Sequence, residues 1–409
     1  MKSTEESPRW QPIDGGVTAP TGFTAAGVRC GLKSSGPDVA ILFSDRPAAA
    51  AALFTRNLVR AAPVQVSMRR AASGFARAVV ANAGNANACT GAQGLRDAEA
   101  MAARAAERLG VAAEEVLVAS TGVIGRPLPM DRVLSGIDSA AQSLSRSGGA
   151  DAALAIMTTD TRPKERALQV LLPDGRAVRL GAMAKGVGMI CPNLATMLCF
   201  ITTDAPVGAP TLRTILQSAA DVSFNCLTVD GDGSTNDSVF MLANGASGGQ
   251  PIEADQSTLR AFSDALAELC IDLARQMARD GEGATKLVTV VVTGAADDAQ
   301  ARMAASAIAN SNLVKTAMFG NDPNWGRVLA AAGRSGASFR PEDASLRFGP
   351  IEVFRNGAPV AFDPKAAHDV LAAPEVEVLL TLGDGPGAAR YFTCDLSYEY
   401  VRINAEYHT

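Results

Sequence analysis

The stretch with the most chemical potential is Lys185-Gly186-Val187-Gly188-Met189-Ile190-Cys191-Pro192-Asn193-Leu194-Ala195-Thr196-Met197. Two glycines make its start conformationally permissive. Pro192-Asn193 is a turn signal, and a hydroxyl residue, Thr196, then opens an apolar run. A chain-terminal Thr can use its own α-amino group as general base, so a Thr nucleophile requires no histidine. That amine exists only if the Ala195–Thr196 bond breaks. The Thr196 hydroxyl can attack the carbonyl before it, forming an ester that water opens, and strain in a Pro-Asn-Leu-Ala turn would favour the shift. The structural alternative is that Thr196 simply begins a strand, since Thr is a common strand residue.

The histidine count narrows the chemistry further. The 409 residues contain only His368 and His408. Neither lies near a nucleophile elbow, and a zinc site with several histidine ligands is excluded. Chemistry here must run mostly on Thr, Ser, Lys, Asp, Glu and backbone groups. The formal net charge of −5 argues against a nucleic-acid binder, which needs a basic stripe. No window approaches about eighteen strongly apolar residues, so no membrane span is expected. The opening Met1-Lys2-Ser3-Thr4-Glu5-Glu6-Ser7-Pro8 lacks the apolar core of a secretory signal. Seven cysteines without a Cys-x-x-Cys pair fit a reducing compartment, the cytoplasm, with thiols as core filler.

The positioning elements are a mixture of strands and helices. At roughly 150 residues per domain the length allows two or three domains or one large one, and 47% hydrophobic residues can fill a sizeable core. Residues 1–20 read as an irregular arm. Strands are expected at Val39–Phe43, Phe75–Asn82 and Val116–Ala119, with an Asn/Gly turn over Asn82–Asn87. Leu168–Leu172 and Arg176–Leu180 flank Pro173-Asp174-Gly175, a hairpin signal. Further strands are expected at Thr196–Thr203, Lys286–Thr293, Glu375–Leu382 and Tyr391–Asn404. Helical spacing marks Gln93–Leu109, Thr211–Val222, Gln256–Ala278 and Asp298–Ala309, the last with Asp297-Asp298 suited to its N-terminal end. The pattern suggests sheets flanked by helices, α/β or α+β.

Lys185 to Ala205, KGVGMICPNLATMLCFITTDA, closely resembles the cleavage-site segment of the ornithine acetyltransferases, the glutamate N-acetyltransferases of arginine biosynthesis. So do ANAGNANACTG (81–91), ASTGVIG (119–125), TTDTRPK (158–164), SFNCLTVDGDGSTNDS (223–238), RDGEGATK (279–286), NLVKTAMFGNDPNWGR (312–327) and the ending YVRINAEYHT. The matches run in order over nearly the whole chain.

The resemblance implies cleavage between Ala195 and Thr196, giving an α chain of 1–195 and a β chain of 196–409 that share one core. Thr196 would take the acetyl group of N-acetylornithine as an acetyl-enzyme, release ornithine and pass the acetyl to glutamate. It implies an oxyanion hole at Thr121 and Gly122. That assignment is physically apt, because a strand ending in Thr-Gly can present a bare backbone N–H. The implied substrate contacts are Thr159, Lys185, Thr196, Glu282, Asn404 and Thr409. Lys185 would meet a substrate carboxylate or perturb the Thr196 amine, and Glu282 would hold a substrate ammonium. A strand through YEYVRINA would pin the C-terminal tail.

No metal or bound cofactor is implied. Asp230-Gly231-Asp232-Gly233-Ser234 looks like part of a calcium loop but has Thr235 where an EF-hand needs Gly, and reads as a turn-rich loop near the site. Gly320–Arg327 reads as a rigid loop that caps a helix and shapes the pocket rim, and Asn85 and Asn87 as site supports. The implied fold is a layered sandwich like the N-terminal-nucleophile-like fold of ornithine acetyltransferases and DmpA aminopeptidases, with a smaller second α/β lobe. The implied assembly is an α2β2 heterotetramer. Acetyl-CoA use is left open. The competing function is a self-processed aminopeptidase or amidohydrolase in which water, not glutamate, receives the acyl group.

Overall fold

The computed structural model describes residues 10–191 and 197–406. Residues 195, 196 and 409 of the expected site lie outside these ranges. Nine strands form one sheet: β1 (Trp10–Pro12), β2 (Phe23–Val28), β3 (Val39–Phe54), β4 (Phe75–Asn85), β5 (Val116–Val123), β6 (Lys164–Leu171), β7 (Ala177–Lys185), β8 (Leu198–Thr203) and β9 (Ser238–Ala243). The spatial order is β1-β6-β7-β8-β9-β3-β4-β5, with β2 also paired to β3. Strands β8 and β9, which follow residue 196, therefore lie between β7 and β3, which precede it.

Side-chain alternation folds this sheet into two packed layers. Leu42, Val79, Leu117, Leu198, Phe200 and Phe240 point inward and share one core. The neighbouring residues Ile41, Val80 and Val118 point the other way, onto helices α1 (Ala62–Ala71), α2 (Gly91–Leu109) and α3 (Met130–Gln142). Helix α4 (Gly149–Ala155) closes the inner core with Ala152, Ala153 and Ala155. On the far side Ala182, Cys199, Ile201 and Met241 face α5 (Ala209–Asp221) and α6 (Gln256–Arg279). The buried face of α6 runs Phe262, Leu266, Leu269, Leu273, Met277, the 3.6-residue period of an amphipathic helix. Its start is capped by Asp255, whose carboxylate accepts from Thr258 N–H at 2.8 Å. The result is the expected layered sandwich.

The smaller lobe is a second sheet. It comprises β10 (Leu287–Ala295), β11 (Ser345–Phe348), β12 (Ile351–Arg355), β13 (Ala358–Pro359), β14 (Glu375–Thr381) and β15 (Gly387–Cys394), in the order β13-β12-β11-β14-β10-β15. With it go α7 (Asp298–Ala309), α8 (Asn312–Phe319), α9 (Trp325–Gly333), α10 (Pro364–Leu371) and α11 (Tyr398–Glu406). Leu287, Phe392 and Cys394 join the core under α6, so the two sheets are tied together. None of the described helices is long and apolar enough to cross a membrane.

Three expectations are corrected. The N-terminal arm contains a strand, because Trp10–Pro12 finds an edge at Leu168–Val170 of β6. The Asn/Gly turn starts later than its composition suggests, since Asn82 and Asn85 are still in β4. There Asn82 donates to Asn85 O at 2.9 Å, and Asn85 donates to Arg126 O and Pro127 O. The strand read over Tyr391–Asn404 ends at Cys394, and YEYVRINA lies in helix α11. Its aromatic and β-branched residues suggest a strand. However, Glu399–Arg402 and Arg402–Glu406 pair at helical spacing, and Ser397 Oγ accepts Glu399 N–H at the start.

Candidate active site

The topology brings several strand ends to one place. Parallel strands β4 and β5 finish together at Asn82–Asn85 and Ser120–Gly122. Strand β7 ends at Lys185, opposite the first residue of β8, Leu198, and β9 begins beside it at Ser238. Between these ends lies a cavity of about 120 Å³. Thr121, Gly122, Thr159, Lys185, Glu282 and Asn404 all line it. These are the six expected site residues that fall within the described chain, drawn from segments up to 283 positions apart.

Gly122 is required by geometry. Its φ is +128°, and a Cβ there would lie 2.4 Å from Gly84 C and 2.6 Å from Asn85 N. Beside it, Thr121 is buried. Asn236 fixes this corner, donating to Ala86 O at 2.6 Å and Ser120 O at 2.9 Å. Asn85 and Asn87 act one layer back: Asn87 N–H donates to Asn85 Oδ1, and Asn87 Nδ2 to Gly94 O.

Lys185 is 3% exposed and donates from Nζ to Thr121 Oγ1 at 3.1 Å. Burial pulls its ammonium below the usual lysine range; the carboxylates of Asp160, Glu282 and Asp237 push back. Asp160 exerts the largest of these opposing pulls. It accepts from Lys164 Nζ at 2.7 Å and Gly186 N–H at 2.9 Å through Oδ1, and from Thr158 N–H at 3.1 Å through Oδ2. Burial pushes its carboxyl up, but Lys185, Lys164 and the Gly186 N–H outweigh it and hold the pKa at about 2. Lys164 also donates to Asp280 Oδ2 at 2.7 Å, and Asp280 takes Thr161 N–H and its hydroxyl. TTDTRPK is thereby clamped to the turn after α6.

That turn carries Glu282. Its N–H donates to Val187 O at 2.8 Å. Its carboxylate accepts from Thr159 Oγ1 at 2.7 Å and from Asn404 Nδ2 at 2.9 Å. Asn404 thus reaches the site from a helix, not from the expected strand. Helix α11 is anchored by Ser397 Oγ, which donates to Gly283 O at 2.6 Å.

The acidic loop also has a structural job. Asp230 accepts from Met189 N–H at 2.6 Å and Ile190 N–H at 2.8 Å, holding the segment that follows β7. On the other side of the undescribed residues, Met197 N–H donates to Asp237 Oδ1 at 3.1 Å. The Gly320–Arg327 loop is not among the residues lining the cavity, contrary to expectation. The expected helix cap is present: Asn324 begins α9 and accepts from Arg327 N–H at 3.1 Å. Asp160, Asp230, Asn236 and Asp237 were not expected as site residues. The only sequence signal was their presence in the matched segments.

Comparison with known proteins finds relatives over nearly the whole chain. A model of the ArgJ family matches residues 24–409. The arginine biosynthesis bifunctional protein ArgJ of Symbiobacterium thermophilum is 56% identical over 400 residues, covering 97% of this chain and 99% of that one. Among solved structures, the arginine biosynthesis bifunctional protein ArgJ of Bacillus halodurans is 43% identical with a TM-score of 0.50, covering 51% of this chain and 98% of the solved chain. The ornithine acetyltransferase of Mycobacterium tuberculosis, solved with ornithine, is 44% identical with a TM-score of 0.42, covering 45% and 98%.

Proposed function

The chain belongs to the ArgJ family, enzymes of arginine biosynthesis, and from that premise we propose how its cavity works as an ornithine acetyltransferase. The precursor cleaves itself between Ala195 and Thr196. The Thr196 amine then removes the proton from its own hydroxyl as Oγ attacks the acetyl carbon of N-acetylornithine. The negative oxygen that develops is met by the Thr121 hydroxyl and the Gly122 N–H. Because Lys185 donates to Thr121 Oγ1, the Thr121 proton is free to point at the substrate. The C–N bond breaks, ornithine leaves with the proton held by the amine, and Thr196 carries the acetyl group. The glutamate α-amine then attacks this ester, the C–Oγ bond breaks, the amine's proton passes through the Thr196 amine to Oγ, and N-acetylglutamate leaves.

Glu282 receives a substrate ammonium. Its carboxylate has about four lone-pair positions, and two are taken by Thr159 and Asn404. Thr409 is a further substrate contact in this reading. The observation that carries this reading is the convergence of Thr121, Gly122, Thr159, Lys185, Glu282 and Asn404 on one cavity. The solved Bacillus chain, almost wholly covered by only half of this one, supports a mature protein made of two chains. Those chains would stay associated because β8 and β9 are inserted among strands from the other side of the cut. A cytoplasmic α2β2 assembly completes the reading.

Intact mass and N-terminal sequencing of the purified protein test it first. Two fragments, one beginning Thr-Met-Leu-Cys, are expected, together with acetylornithine loss matched by acetylglutamate gain. A single uncut chain, or free acetate in place of acetylglutamate, defeats it; the latter would be the outcome for an amidohydrolase. The relatives' name, bifunctional protein, favours a second activity, acetylation of glutamate from acetyl-CoA. Acetyl-CoA and glutamate given to the pure enzyme decide it, and no product above background removes that activity.

A further inference from the structure

The two donors assigned to the oxyanion hole stand at the margin of the larger sheet. Strand β5 ends that sheet, with β4 as its one paired neighbour among the described residues. Their parallel pairing runs in step from Ala78–Val116 to Gly84–Gly122 and then slips, so that Asn85 faces both Thr121 and Val123. A slip of this kind interrupts the ladder locally, and the spacing of the two strand exits needs another hold. Asn236 supplies it from the loop before β9. Its Nδ2 donates to Ala86 O at 2.6 Å and to Ser120 O at 2.9 Å, one bond to the exit of each strand. Thr235 Oγ1 donates to Asn236 Oδ1 at 2.6 Å, which turns the amide nitrogen toward the two carbonyls.

Peptide geometry carries that hold to the donors. Ser120 O belongs to the peptide unit whose nitrogen is that of Thr121, and the unit is planar. Fixing the oxygen therefore fixes the Thr121 Cα, from which both the Thr121 hydroxyl and the Gly122 N–H hang. Ala86, the other anchor, donates its N–H to Val123 O at 2.9 Å, so the corner is closed on both sides of Gly122. The loop that presents Asn236 is itself tied down: Ala61 N–H donates to Thr235 O at 3.0 Å, and Thr55 Oγ1 to Ser234 O at 2.7 Å. Asn236 is 6% exposed and lines the cavity. Both of its amide hydrogens are taken by backbone carbonyls, so none is left for a substrate.

We propose that Asn236 is a positioning residue for acetyl transfer: its amide spans the exits of β4 and β5 and holds the Thr121 hydroxyl and the Gly122 N–H where the acetyl oxygen develops its charge. The assignment rests on Thr121 and Gly122 being the oxyanion donors. Asn236 exchanges no proton and spends no bond on substrate. Its loss is therefore felt in how fast the acetyl group moves, and little in how tightly the substrates bind.

Asn236→Asp tests this, alone and combined with Thr121→Val. The carboxylate has the shape of the amide but no hydrogen for either carbonyl, and Val has the shape of Thr without its hydroxyl. Folding is followed by circular dichroism and cleavage by intact mass, and transfer from acetylornithine to glutamate is measured per mole of cleaved chain. Asn236→Asp should lower kcat by about tenfold or more, as a small misplacement of a catalytic group does. KM for both substrates should stay within about twofold. In the Thr121→Val background the same substitution should cost at least about threefold less, because both changes damage one device. A kcat within about twofold of wild type in folded Asn236→Asp overturns the assignment. So does a loss as large in the Thr121→Val background as in the wild type, which marks a purely structural role. If the carboxylate is not accommodated or the variant stays uncut, Thr235→Val removes only the hydroxyl that orients the amide and is judged by the same two comparisons. Thr121→Val alone separates the two ideas: at wild-type kcat it defeats the oxyanion reading, whereas a slowed Thr121→Val beside an unaltered Asn236→Asp defeats only the role of Asn236.

Discussion

Lys185 Nζ donates to Thr121 Oγ1 at 3.1 Å, a buried cation on a hydroxyl at the end of another strand. The bond orients the hydroxyl and polarises it. Lys185→Met should therefore lower kcat by about 10²-fold, the loss typical of one oxyanion donor, with a smaller change in KM. Steady-state kinetics check this, and a kcat within about twofold of wild type would remove Lys185 from the oxyanion machinery.

Glu282 is fixed from two sides, by Thr159 and Asn404, and from a third by Gly188. A Cβ at residue 188 would lie 2.5 Å from Glu282 Oε2. Gly188→Ala should push the carboxylate off its partners and raise KM by about tenfold with kcat less affected, the pattern of lost ground-state binding. Glu282→Ala should do the same more strongly. Unchanged KM in both variants would mean that Glu282 does not touch substrate.

Thr196→Ala should abolish both self-cleavage and acetyl transfer, since both steps use one hydroxyl. Thr196→Ser should keep part of each. Denaturing gels and the coupled acetylornithine–glutamate assay read the two effects separately. An uncut Thr196→Ala chain that still transfers acetyl groups would refute the nucleophile.

Asp160 gives a pH prediction. Its folded-state pKa of about 2 lies below the value of about 3.9 for free Asp. A depressed carboxyl stabilises the fold fully above the unfolded pKa, and this contribution drains away as pH falls through the folded one. Asp160→Asn should cost about 3–5 kcal/mol at neutral pH, as breaking a buried ion pair does. The difference from wild type should shrink between about pH 4 and pH 2. Denaturant melts across that range check it; a gap independent of pH would show that the charge of Asp160 is not what stabilises.

Elements with a strong local signal were legible in the chain. The 3.6-residue spacing of α6 follows from Phe262 to Met277, and Pro173-Asp174-Gly175 joins β6 to β7 as its composition implies. Where local preference and packing conflict, packing won. Tyr398–Glu406 has strand-like residues, yet it is a helix whose Asn404 meets Glu282. The Asn82–Asn85 segment looks like a turn, yet it stays in a strand, where Asn82 bonds to Asn85 O and Asn85 to Arg126 O.

The chemistry available to this protein was written in its residue types. Two histidines left little room for a histidine base, and a Thr behind a Pro-Asn turn offered an amine in its place. Type and spacing along the chain are enough for that, because a nucleophile and its own α-amine are covalent neighbours. Whether Lys185 is a solvated charge or a buried donor is a different kind of property. It depends on Thr121, Asp160 and Glu282, which only the folding of one sheet into two layers brings around it. Asp237 is a second case: burial strips its carboxyl of water, and parallel pairing sets it beside Met197. Desolvation and strand register arise from contacts between distant parts of the chain, so neither leaves a mark in the sequence around the residue.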